Sequence, residues 1–463
     1  VNVPDWMECR MEEFNFEGNA IDKQRKKASG LTAYTFKAKD IKVPTKENGA
    51  PARGKIYPHI MLIPEAYKTG NKNITLMPST KELYSWYHSL VKSVDNNTSP
   101  LQEQVNQLTS GKTAPIEKIK AIFYWVQDNI RYIAFEHGIM GFQPEACQKV
   151  YNNKYGDCKG MANLTKEMLQ LAGFDARLTW LGTNDVPYNY NYPSLYADNH
   201  MICTVILDGQ KIFLDPTEKY ANIYNYAHRI QGRDVLIEDN DNFIIAQVPS
   251  GKAQENEQKN TINCTIEEDL LKGQATLTYK GNSKTRFYNQ INSISDDNKT
   301  RWLKNYLSNA EKDQKVSIDQ LPDLSNRDED LVIDYALEVN NRIIDLGKEK
   351  YLNPELDMEF KNFTVPEDRV LPYEFSNKYY INNTTTINLP SNWTSTYIPE
   401  PIAIANDAYS FHLNYQIKDN SIVYTKEIII QDITIRPEAF KSWNESIKSL
   451  AAFYEDQLIF KVE

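Results

Sequence analysis

Tyr155-Gly156-Asp157-Cys158-Lys159-Gly160 is the stretch of sequence on which the rest of the interpretation depends. Its first three residues are typical of a turn, and apolar residues then recur at helical spacing, at Met161, Leu164, Met168 and Leu171, until Gly173. We therefore predict a helix with Cys158 at its N-terminus. Unpaired backbone N–H groups and the positive end of the helix dipole favour a thiolate there and can stabilise an oxyanion. The alternative is a buried structural cysteine, which is how we interpret Cys203.

A histidine and an aspartate follow on two predicted strands joined by Asp208-Gly209, a preferred two-residue hairpin turn. With that loop Leu207 pairs with Gln210, and His200 becomes the diagonal same-face neighbour of Asp215, with roughly 7 Å or less between the Cβ atoms. A register slip of one residue would place the two side chains on opposite faces. The alternative is a structural His–Asp pair at the end of a hairpin.

These three side chains fill the roles that thiol acyl transfer requires. Cys158 is the candidate nucleophile, His200 the candidate base and acid, and Asp215 the candidate residue that orients the imidazole. We also consider Gln143 a candidate side-chain oxyanion donor, although a Gln before Pro in a loop is more often structural.

Composition excludes several other classes of protein. The formal charge of −10 argues against a nucleic-acid-binding surface, and no apolar run approaches the ~18 residues that span a bilayer. The five cysteines include no C-x-x-C pair, so we predict no disulfide scaffold, no zinc site and no cofactor. The chain begins at Val1 without a signal-like segment, so we expect it to be a piece of a longer protein.

The pattern of apolar residues predicts four segments. Residues 1–70 form an N-terminal β-rich segment, interpreted as part of a larger β domain, and residues 71–250 form the core with the cysteine, histidine and aspartate. Residues 251–375 form a β-rich domain, and residues 376–463 a C-terminal β domain with a terminal helix.

Three stretches of the sequence resemble the transglutaminase-like superfamily: Gly156-Asp157-Cys158, Asn199-His200 and Leu214-Asp215-Pro216-Thr217. In that superfamily a Gly-Asp-Cys turn opens the core helix, and His and Asp follow on consecutive strands. The helix from Pro115 to Arg131 is similar to the one that precedes that turn. The resemblance covers roughly residues 115–220 and implies an α+β fold: a papain-like core of helices packed on an antiparallel sheet, flanked by N-terminal and C-terminal β-rich domains. The wider layout resembles bacterial secreted proteins, which implies a periplasmic or extracellular location.

Three functions remain open at this point. The first is a thiol enzyme acting on peptide or protein amides, by hydrolysis or by transfer to an amine. The second is a non-catalytic peptide-binding or scaffold protein on the same fold, and the third is a small-molecule acyltransferase with a deep, narrow pocket. In each case the loop from Thr183 to Asp198 borders the site, and its tyrosines are candidate substrate-binding residues: Tyr188, Tyr190, Tyr192 and Tyr196. The sequence does not indicate an oligomeric state.

Overall fold

The structure is a computed structural model, and it describes residues 1–39, 41, 47–134 and 137–462. The chain divides into two compact units, one made of Val1–Thr45 with Pro51–Ser250 and the other of Lys46–Ala50 with Gly251–Glu463. Unit 1 contains the cysteine, histidine and aspartate singled out in the sequence. No helix among the described residues is long and apolar enough to cross a membrane.

Two small antiparallel sheets begin unit 1, as the β pattern of this region predicts. The order is β1-β4-β3 in the first and β2-β5-β6 in the second. Their strands are β1 (Asn2–Pro4), β2 (Met7–Phe14), β3 (Ile21–Ala28), β4 (Leu31–Ala38), β5 (His59–Thr69) and β6 (Lys72–Thr75).

Helices then dominate, as the 3.6-residue periodicity predicts. They are α1 (Arg53–Ile56), α2 (Thr80–Lys92), α3 (Gln102–Thr109), α4 (Pro115–Asn129), α5 (Cys147–Asn153) and α6 (Cys158–Leu171). Ser79 begins α2 by accepting a hydrogen bond from the N–H of Lys81 at 3.2 Å. Pro115 occupies the first turn of α4, where its missing N–H has no intrahelical partner to lose.

The core of unit 1 is a five-stranded antiparallel sheet in the order β11-β10-β9-β12-β13. A two-stranded parallel pair, β7 with β8, precedes it. These strands are β7 (Arg131–Tyr132), β8 (Tyr155–Gly156), β9 (Asp175–Leu181), β10 (His200–Leu207), β11 (Gln210–Leu214), β12 (Asp234–Asp239) and β13 (Asn242–Gln247). Helix α6 packs on this sheet through Met161, Leu164 and Met168, which join Cys203 and Val205 of β10 in one buried cluster. That packing brings the N-terminus of α6 to the beginning of β10.

Unit 2 is built on an eight-stranded sheet in the order β16-β17-β15-β14-β21-β25-β24-β23, with a four-stranded sheet, β18-β19-β27-β22, and a short pair, β20-β26. The strands are β14 (Glu257–Glu267), β15 (Leu270–Tyr279), β16 (Gln314–Ser317), β17 (Leu331–Val339), β18 (Ile343–Asp345), β19 (Glu349–Leu352), β20 (Tyr373–Glu374), β21 (Tyr379–Asn388), β22 (Trp393–Tyr397), β23 (Ile402–Ala405), β24 (Tyr409–Lys418), β25 (Ser421–Ile430), β26 (Thr434–Ile435) and β27 (Leu458–Val462). Its helices are α7 (Gly281–Asn292), α8 (Asp296–Leu307) and α9 (Phe440–Glu455).

The centre of the large sheet is a parallel pair that the sequence pattern does not predict. Strand β14 pairs with β15 on one side and runs parallel to β21 on the other. The boundary predicted at residue 375 therefore falls inside a unit whose main sheet takes strands from both sides of it. Helices α7 and α8 also lie in a region interpreted from sequence as mostly β.

Candidate active site

The turn before α6 places Cys158 at the first position of the helix. Asp157 is the N-cap residue, and its Oδ1 accepts a hydrogen bond from the N–H of Gly160 at 2.8 Å. A Cβ at Gly156 or Gly160 would lie 3.0 Å from the Val150 side chain, so a larger residue at either position would push against the packing of α5 on this turn. The predicted helix start is confirmed, and so is its end, where Gly173 has a positive φ of 87°.

A buried ion pair supports the same turn. Asp157 and Lys159 are 6% and 5% exposed, and the Lys159 ammonium binds the Asp157 carboxylate oxygen that the cap does not use. The carboxylate is thereby satisfied on both oxygens, which fixes the backbone on either side of the cysteine.

His200 and Asp215 meet as the hairpin register predicts. Leu207 pairs with Gln210 and Cys203 with Leu214, so the next residues along the ladder bring Asp215 beside the start of β10. The Nε2 atom of His200 donates to Oδ2 of Asp215 at 2.8 Å, and both side chains are 5% exposed. Asp208 and Gly209 both have positive φ, as expected for the two-residue turn that sets this register.

Cys158 interacts with the same imidazole. Because Nε2 is occupied by the carboxylate, Nδ1 is the ring nitrogen left for the sulfur, and Cys158 is close enough to His200 to contribute to raising the pKa of the imidazole. Burial lowers the pKa of His200, but the charge and hydrogen bond of Asp215, with the contribution of Cys158, outweigh burial and raise that pKa to about 9. The imidazole is therefore protonated at neutral pH, and an imidazolium stabilises a neighbouring thiolate.

Asp215 is held ionised by four hydrogen bonds. Oδ2 accepts from His200 and from Nη2 of Arg229, each at 2.8 Å, and Oδ1 accepts from the N–H and the hydroxyl of Thr217 at 3.1 and 2.6 Å. Burial alone would raise the pKa of this carboxyl, but the charges of His200 and Arg229 and these hydrogen bonds keep it well below its usual range. Arg229 also binds Glu218 at 2.9 Å. Sequence reasoning missed Arg229, and no local motif marks it.

A pocket of about 280 Å³ opens beside the cysteine. Cys158 and His200 line one part of it, and Phe142, Trp180 and Leu195 supply apolar walls. The Trp180 ring is stacked on Tyr87 at 5.2 Å between centroids. Its indole Nε1 is buried and has no hydrogen-bond partner among the residues that the structure describes.

The comparisons with known proteins identify the fold around this geometry. Residues 102–216 match the transglutaminase-like superfamily. They are a transglutaminase-like core. Residues 348–460, in unit 2, match DUF3858, a domain of unknown function. No curated protein sequence matches the chain.

Two solved structures are similar to the chain that contains the transglutaminase-like core. A candidate protease from Parabacteroides distasonis has a TM-score of 0.59 and 12% identity, over 100% of this chain and 71% of that chain. At such low identity the likeness shows the fold alone, an α+β protein with a transglutaminase-like core and β-rich flanking regions. A candidate cysteine protease from Cytophaga hutchinsonii has a TM-score of 0.22 and 13% identity, over 47% of this chain and 66% of that chain, and this score supports no conclusion.

One carboxyl group in the pocket of the transglutaminase-like core, that of Asp198, was not predicted from the sequence as a site residue. Asp198 accepts hydrogen bonds from the hydroxyls of Tyr190 at 2.6 Å and Tyr87 at 2.9 Å. Burial raises the pKa of Asp198 to about 6, although these hydroxyls and the charge of Arg233 act in the opposite direction. The carboxyl is therefore a group in the pocket that titrates near pH 6.

The four predicted loop tyrosines are not brought together around the pocket. Tyr190 is buried and supports the site indirectly, by binding Asp198 and the carbonyl of Trp180. The Tyr188 hydroxyl binds Nε2 of His59 at 2.6 Å, and the Tyr192 ring packs edge-on against Phe14. Tyr196 is 67% exposed. None of the four is among the residues lining the pocket within the described part of the chain. Their role in substrate binding stays a prediction without geometric support.

Gln143 is also directed elsewhere. Its amide nitrogen donates to the hydroxyl of Ser93 at 2.7 Å and to the carbonyl of Leu90 at 3.5 Å, both at the end of α2. Its neighbours Gly141 and Phe142 line the pocket, and Gln143 is not among the described lining residues. The geometry thus corrects the expectation that Gln143 is an oxyanion donor, because its donor is already engaged in joining the loop to α2.

The remaining cysteines have no such environment. Burial raises the pKa of Cys147 and Cys264 to about 11 and that of Cys203 to about 12, and it also raises the pKa of Cys9. Cys203 and Cys264 are 0% and 2% exposed, as expected for cysteines that act as small core hydrophobes.

Proposed function

We propose that the transglutaminase-like core is a thiol enzyme that cleaves or transfers the acyl group of peptide or protein amides. The observation that carries the proposal is a single imidazole shared by two partners: His200 binds Asp215 at 2.8 Å through Nε2 and interacts with Cys158. A structural His–Asp pair has no need of a cysteine at a helix N-terminus beside it. The membership of residues 102–216 in the superfamily supports the same chemistry.

In the first half of the reaction, the Cys158 sulfur attacks the carbonyl carbon of the amide. A C–S bond forms, and the electron pair of the C=O bond moves to oxygen. Gly160 N–H is taken by Asp157, so the N–H groups of Cys158 and Lys159 are the first-turn donors left for the oxyanion. When the tetrahedral intermediate collapses, the C–N bond breaks and the leaving amine takes the proton of the imidazolium.

In the second half, the now neutral imidazole removes a proton from the acceptor. The acceptor oxygen or nitrogen attacks the thioester, and the C–S bond breaks to return the thiolate beside the imidazolium. Water as acceptor gives hydrolysis, and a primary amine gives transfer. Asp215 stays ionised throughout and stabilises the positive charge each time the imidazole is protonated.

The pocket supports an amide substrate. A peptide group presents a polar carbonyl and N–H between apolar parts, and the pocket combines the polar Cys158, Asn199 and His200 with apolar walls. The apolar surface of Phe142 and Leu195 favours an uncharged side chain next to the scissile group.

The test is a peptide library incubated with the protein and analysed by mass spectrometry, with and without added methylamine. Hydrolysis adds the elements of water to the substrate, whereas transfer replaces the leaving amine by methylamine. Cys158→Ala should abolish either product, and Cys9→Ala, which alters a partly exposed cysteine with no imidazole partner, should not.

Hydroxylamine gives an independent measure of the intermediate, because it captures a thioester as a hydroxamate. Hydroxamate formed by the wild type and absent in Cys158→Ala is the expected result. Products that persist in Cys158→Ala, or a library left unchanged by the wild type and no hydroxamate, would contradict the proposal and favour a peptide-binding role.

A further inference from the structure

Unit 2 contains a larger cavity, which the chemistry of the transglutaminase-like core does not use. Its volume is about 380 Å³, within the range of small-molecule sites. Five neighbouring strands of the eight-stranded sheet form its floor: β17, β15, β14, β21 and β25. The end of α8, the start of β16 and the segment from Glu355 to Asp357 form its walls.

The floor of this cavity carries polar side chains where a packed sheet would carry apolar ones. Gln258 and Asn260 on β14, with Asn383 and Thr385 on β21, face the cavity from the two central strands. Alternation along a strand puts such residues on one face, and central strands normally bury that face with Val, Ile or Leu. A local violation of this pattern is expected where function requires it.

One buried acceptor in the wall has no partner. Gln314 is 6% exposed, and its amide nitrogen donates to the carbonyl of Leu307 at 3.3 Å. Its Oε1 is buried and lacks a hydrogen-bond partner within the described residues, although Gln314 lines the cavity. Leaving a buried acceptor unsatisfied is unfavourable, so this oxygen points to a ligand that donates a hydrogen bond.

Lys426, the only lysine among the described residues of the lining, offers nothing to an anion. The Lys426 ammonium is buried against Glu355 at 2.8 Å, Glu359 at 2.5 Å and the carbonyl of Asp357. Its three donors are therefore engaged. Burial first, and then the charge of Asp357, raises the pKa of Glu359 to about 8, so this acid is protonated at neutral pH.

Two carboxyl groups also line the cavity, those of Glu355 and Asp357, and Glu355 is engaged because it accepts from Lys426 and from the Tyr424 hydroxyl. The tyrosine and amide side chains of the lining both donate and accept. Tyr279 and Tyr306 join their hydroxyls at 2.8 Å, and Asn260 donates to the Tyr335 hydroxyl at 2.9 Å. An ammonium ligand only donates and a phosphate only accepts, whereas a hydroxyl does both. Tyrosine rings beside such groups also present flat apolar faces to C–H bonds.

From this combination we propose that the cavity of unit 2 binds a neutral saccharide, with a sugar hydroxyl donating to Gln314 Oε1 and others meeting Asn260 and Thr385. The site is separate from the cysteine chemistry, so unit 2 would add carbohydrate recognition to the protein. This proposal does not depend on the transglutaminase-like core being active.

Saturation-transfer NMR on the full chain tests the proposal, with methyl glycosides of glucose, galactose, mannose and N-acetylglucosamine as probes. At least one glycoside should receive saturation from the wild type and from Cys158→Ala. Gln314→Leu removes the orphan acceptor while keeping side-chain volume, and Thr385→Val removes a lining hydroxyl without changing shape. Each should weaken binding about tenfold or more.

The controls separate recognition from folding. Gln416→Leu, at an exposed position on β24, should leave binding unchanged. Gln314→Leu should leave the melting temperature close to that of the wild type, because it removes an unsatisfied buried atom together with the hydrogen bond to the Leu307 carbonyl. Absence of saturation transfer to all four glycosides, full binding by a folded Gln314→Leu variant, or binding of spermidine or inorganic phosphate in their place would overturn the proposal.

Discussion

Arg229 donates to the same oxygen of Asp215 that binds the imidazole of His200, at 2.8 Å in both cases. The carboxylate therefore lies between two positive groups, one on strand β10 and one on a short 3₁₀ helix, His228–Ile230, that follows the hairpin. Arg229 is a positioning residue, because it acts on the reaction only through Asp215.

This contact predicts the acid side of the pH profile. The charge of Arg229 helps keep the pKa of Asp215 below its usual range, so Arg229→Met should raise that pKa. Since a protonated carboxyl no longer stabilises the imidazolium, reactivity of Cys158 should be lost at a higher pH on the acid side. The rate of alkylation of Cys158 by iodoacetamide, measured against pH, checks this. Arg229→Lys keeps the charge, so its acid side of the pH profile should shift less than that of Arg229→Met. If wild type and Arg229→Met had the same acid side, Arg229 would not be a positioning residue for Asp215.

Asp215→Asn should shift the alkaline side of the pH profile of Cys158 alkylation to lower pH. Without the carboxylate, burial dominates and the pKa of His200 falls from about 9. The imidazolium is then lost at lower pH, and alkylation at neutral pH should slow by about 10²- to 10⁴-fold. Asp208→Asn, in the turn of the same hairpin, is the matched control because Asn tolerates its positive φ. An unchanged alkaline side in Asp215→Asn would show that the carboxylate does not govern the imidazole.

The same pKa has a consequence for stability. The pKa of His200 is raised in the folded state, so its contribution to the free energy of unfolding is complete below its ordinary value of 6.5 and is lost as pH rises through about 9. The difference in melting temperature between wild type and His200→Asn should therefore shrink between those two pH values. A difference that grows over this range would reverse the assigned sign.

Cys158 should react first among the five cysteines. Burial raises the pKa of the other four thiols, whereas Cys158 has an imidazolium and a helix N-terminus beside it. Brief treatment with iodoacetamide at neutral pH, followed by peptide mapping, should find the label on Cys158 well before Cys9, the least buried of the other four. Equal labelling of the two would remove the basis for a nucleophile at residue 158.

In unit 2, Lys426→Met should be strongly destabilising. The ammonium is enclosed by Glu355, Glu359 and a carbonyl, and removing it leaves the buried Glu355 without its counter-charge. A loss of about 3–5 kcal/mol in the free energy of unfolding is expected for a broken buried pair. Lys418→Met, an exposed change on β24, should alter stability by about 0.5 kcal/mol or less. Denaturant unfolding of the two variants makes the comparison.

The hairpin and the helix start could be predicted because both depend on neighbours in sequence. The N-cap of α6 is encoded locally, by Asp157, Cys158 and Gly160. The Asp208-Gly209 turn likewise fixes the pairing register of the two strands that it joins. Arg229 could not be found this way, since its contact with Asp215 depends on how a loop without periodicity folds back. Gln143 was misjudged for the same reason: its partner, Ser93, lies 50 positions away in sequence.

In unit 2 the individual strands were predictable and their arrangement was not. Residues 257–267 and 270–279 alternate and form a hairpin, β14 with β15, within the region predicted to be β-rich. The parallel partner of β14, however, is β21, and nothing in either strand specifies a pairing over so long a crossover. Helices α7 and α8 are short and rich in Asn and charged residues, so their apolar faces are too narrow to stand out from the β pattern around them.

The contact between His200 and Asp215 depends on the length of the Asp208-Gly209 turn. Hairpin loops on a protein surface usually accept an extra residue at little thermodynamic cost. Here one inserted residue would shift the ladder, carry Asp215 to the far side of the sheet, and leave every residue of the site present but inactive. Among descendants of this sequence, a change in that loop's length would thus be a mark of lost activity even where cysteine, histidine and aspartate all survive.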